Sequence, residues 1–190
     1  MKRHALPLLA AALSLTAFPA SAHPFHEAGA GFVAGFAHPF LGLDHLLAMF
    51  AVGLWAAQSK GKSAMRAPLT FVGVMLAGGL LGMAGWSGTV LEPLIAASVL
   101  TLGLMVTLRK SLESTTLLLI AAFALCHGIA HGLELPPAVA ALPFAAGFTS
   151  ATALLHLGGM AVGQRLGIAG RLAGAPIAMM GGWMLVSGMV

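Results

Sequence analysis

The chain is 190 residues long, 59% hydrophobic and 7% charged, with a mean hydropathy of +0.97. That balance excludes an ordinary water-soluble domain and points to a chain whose solvent is a bilayer. The formal net charge of +4 does not make a nucleic-acid-binding protein, because the nine Lys and Arg are scattered between apolar runs and form no basic face. Cys126 is the single cysteine, which excludes an intramolecular disulfide and the C-x-x-C pattern of a zinc or redox site. Metal chemistry in this chain therefore rests on His, Asp, Glu and Met.

Residues 1–22 carry the three parts of a secretory signal: Lys2 and Arg3, the apolar stretch Leu6 to Phe18, and the small-residue cleavage site Ala20-Ser21-Ala22. The mature chain then starts at His23. An uncleaved first anchor is the alternative, although the apolar core is shorter than a full span. The new N-terminus reads His23-Pro24-Phe25-His26-Glu27. It is either a polar tail or a first collecting point for a cation, with a terminal amine and two imidazoles close together. Pro24 has no N–H, which argues against a copper or nickel site made from deprotonated amides.

Six spans follow, from Phe40 to Ala57, Pro68 to Trp86, Pro93 to Leu108, Thr115 to Gly132, Ala138 to Gly163 and Leu172 to Met189. Pro39, Pro68 and Pro93 mark helix starts, where a missing N–H costs nothing. The expected fold is thus all-α, a single domain of six transmembrane helices over residues 23–190. Lys60, Lys62 and Arg66, then Arg109 and Lys110, then Arg165 and Arg171 fall in alternate loops, whereas Ser87 to Glu92 and Leu133 to Pro137 contain no Lys or Arg. The positive-inside rule then places both termini outside, which is the periplasm in a bacterial inner membrane, the expected location. Gly31-x-x-x-Gly35, Gly78-x-x-x-Gly82 and Gly159-x-x-x-Gly163 fit close helix packing, which among 25 glycines supports a tight bundle and nothing about dimerisation. A weak internal echo relates Ala34-Gly35-Phe36, His45 and Met49 to Ala146-Gly147-Phe148, His156 and Met160; taken as a repeat, it sets His156 at the depth of His45.

Ionisable groups inside a bilayer cost about 2.5–3.5 kcal/mol each on insertion scales and need a reason to be there. His38-Pro39-Phe40-Leu41-Gly42-Leu43-Asp44-His45 opens the first span. His38 precedes proline and is expected to be extended at the rim. Asp44 and His45 are expected about one turn inside, with Met49 four residues further on the same face as a soft thioether. At the far end of the fourth span, His127, His131 and Glu134 are spaced i, i+4 and i+7 on one helical face and lie at the same membrane depth. The set of His38, Asp44, His45, His127 and His131 is either a metal-handling site or a hydrogen-bond network between two helices; five such groups at one depth exceed what packing needs. His156 either bonds a neighbouring helix or lines a path, and Glu92 is either a solvated loop acid or part of an acidic vestibule. No P-loop, Gly-x-Ser-x-Gly or His-Glu-x-x-His occurs. A zinc hydrolase built on three imidazoles and a metal-binding sensor without flux stay open beside transport.

The run His38-Pro39-x-x-Gly42-x-Asp44-His45, followed by Leu46-Leu47-Ala48-Met49 and Ala51-Val52-Gly53-Leu54-Trp55, resembles the signature of the HupE/UreJ family over the whole mature chain. The family is regarded as one of nickel permeases serving hydrogenase and urease maturation, with six spans and a signal. The resemblance implies His38, Asp44 and His45 as the metal-handling motif, with His131 and Glu134 as helpers. It also implies a non-enzyme whose cargo is Ni²⁺, although these ligands suit Co²⁺, Cu²⁺ and Zn²⁺ as well. No cofactor is expected. The expected partners are the lipid bilayer and the metal ion, with a homo-oligomer and a cytoplasmic metallochaperone left open.

Overall fold

The computed structural model describes residues 31–59, 61–108, 114–135 and 139–188, and among these it contains helices and no strand. In chain order they are α1 (Gly31–Leu41), α2 (Leu43–Ala56), a 3-10 turn (Gly61–Met65), α3 (Arg66–Met83), α4 (Leu91–Leu108), α5 (Ser114–Glu134), α6 (Ala141–Leu166), a second 3-10 turn (Ala169–Arg171) and α7 (Gly174–Ser187). Ser63–Met83, Leu91–Leu108, Ser114–Glu134 and Ala141–Leu166 are each long and apolar enough to cross a membrane; α1 and α2, bent by 82° at their junction, make a fifth such unit if taken together. Leu69, Leu80, Leu118, Leu142, Met179 and Val186 stand exposed on the outside, as lipid-facing residues do.

The first and last spans differ from expectation. Phe40 to Ala57 is not one helix: α1 runs through His38 and Pro39 to Leu41, the chain turns at Gly42, and α2 starts at Leu43. His38 is therefore helical rather than extended, and Pro39 lies inside a helix rather than at its start. A proline in that position removes one helical N–H and crowds the preceding turn, and the helix ends two residues later. At the other terminus, α7 has 14 residues, or about 21 Å, short of a hydrocarbon core of about 30 Å. The 3-10 turn Ala169–Arg171 takes up the chain that would have lengthened it.

Helix α2 is the centre of the bundle. Ten of its 14 residues are buried, including Ala48, Met49, Ala51, Val52, Leu54 and Trp55, and α1, α3, α4, α6 and α7 all touch it. A helix so enclosed can be short and broken, because protein rather than lipid surrounds it from Asp44 onward. Glycines set the crossings around it. A Cβ on Gly53 would meet the His156 carbonyl and Gly159, and one on Gly35 would meet the Phe144 backbone, so α1 and α2 both lie against α6. Gly78 and Gly82 of α3 face Gly128 and Gly132 of α5 in the same way, and Gly103 of α4 faces Ala178 and Gly174 of α7. The three small-residue pairs seen in the sequence all sit at helix crossings.

The two ends of the bundle differ in charge. Arg66, Arg165 and Arg171 gather at one end, where Gln58 Nε2 donates to the Val106 carbonyl at 2.8 Å. Lys60, Arg109 and Lys110 lie outside the described residues, as do residues 1–30 with the signal, His23, His26 and Glu27. The opposite end holds the break at Gly42, the last turn of α5 and the first turns of α4 and α6.

Candidate metal-handling site

The break at Gly42 builds one half of the site. It delivers Asp44 and His45 in the first turn of α2, where backbone N–H groups lack helical partners and the helix dipole favours a carboxylate. Asp44 Oδ2 lies 2.7 Å from Nδ1 of His45, and both side chains are about nine-tenths buried. A proton on Nδ1 is favoured beside the carboxylate, which leaves the lone pair of His45 on Nε2. Gly42 itself makes room for this pair: a Cβ there would stand 2.8 Å from His45 Nδ1 and 2.9 Å from Asp44 Oδ1. Its backbone is ordinary (φ −91°, ψ 117°), so glycine serves as space rather than as a hinge.

Helix α5 builds the other half. Its run His127-Gly128-x-x-His131-Gly132 makes two adjacent stripes. The glycine stripe locks against α3, and the histidine stripe is thereby aimed across at α2. His127 is fully buried and His131 nearly so. Their rings lie 4.9 and 4.2 Å from that of His45, centroid to centroid. One ligand atom from each of His45, His127 and His131 falls within 4.8 Å of the other two.

A second triad shares His131 and leads outward. His38 Nε2 is 3.4 Å and His131 Nδ1 3.8 Å from Oε2 of Glu134, whose side chain is 57% exposed. His38, His131 and Glu134 also place one ligand atom each within 4.8 Å of the others. Phe144 and Phe148 of α6 wall this region, with Phe148 4.2 Å from the His131 ring. The imidazoles thus form a descending series from the half-buried His38 through His131 and His45 to His127.

Several expected participants stand apart. His156 is 1% exposed, and neither of its ring nitrogens has a hydrogen-bond partner, but it is not in either triad. Its carbonyl packs on Gly53, eight residues or about 12 Å of helix beyond His45. The internal echo therefore does not put the two histidines at one depth. The 82° bend spends chain sideways, so α2 slips by more than one turn against α6 after the break. Glu92 is exposed at the start of α4 beside a cavity of about 80 Å³ and outside both triads. Met49 is fully buried in the core one turn below His45.

Three residues around the site gave no functional signal in the sequence. Phe71 of α3 is fully buried with its ring 5.8 Å from His127 and 5.4 Å from His156, between the two. Phe148 reads as one more apolar residue of a span. Ser98 of α4 contacts Nε2 of His127 at 2.9 Å. Ser98 is one of three small hydroxyl residues in an apolar helix, beside Thr101 and Thr107, and the sequence does not single it out.

Comparison with known proteins agrees with the motif reading. A family described as HupE / UreJ protein matches residues 11–189. Protein HupE of Rhizobium leguminosarum bv. viciae is 40% identical over 181 residues, covering 92% of this chain and 95% of that relative. No solved structure matches. A match across nearly the whole chain and a full-length relative at this identity place the chain in the HupE/UreJ family.

Proposed function

We propose that the protein carries a divalent transition-metal ion, Ni²⁺ first among them, across a bacterial inner membrane from periplasm to cytoplasm. The observation that carries this reading is the linkage of the two triads through His131: one reaches the exposed Glu134, the other is buried. Among the described residues, the buried ring nitrogens without a hydrogen-bond partner include His45 Nε2, His127 Nδ1 and both nitrogens of His131 and of His156, while His45 Nδ1 has Asp44 2.7 Å away. Unpartnered imidazoles at membrane depth are expensive. They suit a site whose partner arrives and leaves, and conduction needs binding that is favourable yet reversible.

In this reading the histidine end faces the periplasm and the arginine end the cytoplasm, with six crossings, α2 and α7 being the short ones. Glu134 and His38 collect the hydrated ion, helped by His23, His26, Glu27 and Glu92. Asp44 supplies negative charge through His45. His45, His127 and His131 replace part of the hydration shell, with Met49 one turn below. His156 receives the ion after Phe71. The family's association with nickel names the cargo; imidazole and carboxylate alone fit several ions.

Purified protein in sealed liposomes tests this. Ni²⁺ is expected to accumulate inside only with intact protein, and Asp44→Ala and His45→Ala are expected to reduce the rate by at least about 100-fold without loss of the folded state. Unchanged uptake in both variants would sink the mechanism. The three buried imidazoles also match a zinc-hydrolase ligand set; tight stoichiometric metal binding with no flux would favour that second reading.

A further inference from the structure

Ser98 lies on α4, a helix that brings no metal-ligand side chain to either triad. It is fully buried, and its Oγ is 2.6 Å from the Ile95 carbonyl oxygen and 2.9 Å from Nε2 of His127. A carbonyl oxygen has no proton to give, so the serine hydroxyl donates to Ile95. That uses its one hydrogen. The same oxygen can then only accept from His127, and Nε2 must carry a proton. A neutral imidazole protonated on Nε2 has its lone pair on Nδ1. Nδ1 of His127 is buried and has no partner in the protein.

We infer that Ser98 is a positioning residue for metal handling: it holds His127 as the Nε2–H tautomer and so reserves Nδ1 as the atom that meets the divalent ion. The backbone of α4, through Ile95, fixes the serine, and the serine fixes the ring. His45 is set in the opposite sense, with Nδ1 beside Asp44 and Nε2 free. The two rings, 4.9 Å apart at 88°, thus offer different nitrogens. Without Ser98 the ring of His127 is free to take either tautomer and to turn over, and loss of such an orienting partner lowers metal affinity by about 10–100-fold.

This inference rests on the transport reading only for its cargo, and its test separates the two. Full-length protein labelled with ¹⁵N-histidine is examined free of metal, the His127 signals being assigned by comparison with His127→Asn. Nε2 is expected protonated and Nδ1 unprotonated, and Zn²⁺ alone, as a diamagnetic probe, is expected to shift Nδ1. Ser98→Ala is expected to mix the tautomers and raise the KM for Ni²⁺ uptake about 10–100-fold, with Ser98→Thr restoring both. A proton on Nδ1 of metal-free wild type overturns the inference, and so does an unchanged tautomer and KM in Ser98→Ala. Should Ser98→Ala fail to fold, the wild-type spectrum and the Thr variant still decide. A protein without flux that shows the expected tautomer and Zn²⁺ on Nδ1 overturns transport and supports the role of Ser98.

Discussion

At the arginine end of the bundle, Gln58 Nε2 donates to the Val106 carbonyl and Thr107 Oγ1 to Gly103, while Gly163 lies against Ala57 and Gly174 against Thr107. At the histidine end, Nε2 of His45 and both ring nitrogens of His131 are buried without hydrogen-bond partners, and the helix that bears His45 is broken one turn above it. Glycine serves both ends, in two ways. At crossings, at either end, it brings backbones together. At the helix break, Gly42 keeps Cβ out of the space beside Asp44 and His45, so that two side chains fit where one methyl would intrude. Close packing joins backbones in the first case and leaves room for polar side chains in the second.

Alanine at single glycines separates these uses, and the largest effect is expected where α3 meets α5. A Cβ on Gly128 would run into the Met75 carbonyl and stand 2.9 Å from Gly78 Cα. Gly128→Ala is expected to cost about 1–3 kcal/mol or more, read as a lower thermal midpoint in detergent together with lost uptake. Gly79→Ala, whose Cβ would meet only the Gly128 carbonyl at 3.8 Å, is expected to leave both unchanged. If the two variants behave alike, the α3/α5 contact does not hold the histidine stripe in place. Gly42→Ala is the complementary case. Its methyl would push first on the side chains of Asp44 and His45, so uptake is expected to fall about 10–100-fold at an unchanged midpoint.

The sequence made the residues of the polar cluster legible and their scaffold only partly so. Asp44, His45, His127, His131 and Glu134 stand out because each is costly in an apolar span, and helical spacing puts the last three on one face. The break at Gly42 was hidden, since a hydrophobic run with a proline near its start has the same pattern whether the helix begins there or bends there. For that reason the sequence reads His38 as extended where it is helical, and sets His156 level with His45 where it lies deeper. Ser98 and Phe71 were silent because their roles are relations between helices, and one span's composition does not say what faces it. The family match identifies the chain, but the pairing of His127 with Ser98 comes from tertiary packing.

His156 tests how far the comparison extends into the bundle. It lies across the ring of Phe71 from His127, beyond the triads that would bind the ion. If it receives an ion already bound above, His156→Leu is expected to slow maximal uptake about tenfold, equivalent to about 1.4 kcal/mol on the barrier, with KM little changed. Measuring rate against Ni²⁺ concentration distinguishes this from a change in the upper site. A raised KM at full maximal rate would join His156 to the binding cluster instead.

The smallest effect is expected at the rim. Glu134 is more than half exposed, and its contacts with His38 and His131 are 3.4 and 3.8 Å long. Water and salt screen such pairs, and exposed ion pairs are worth about 0.2–1 kcal/mol, which bounds the change at about fivefold in affinity. Glu134→Gln keeps the shape and removes the charge. It is expected to raise KM by up to about fivefold with the maximal rate retained, and raised ionic strength should shrink the difference from wild type. A loss of maximal rate comparable to that of Asp44→Ala would mean that Glu134 holds the ion after dehydration, and the boundary between the exposed rim and the buried cluster would have to move inward past His131.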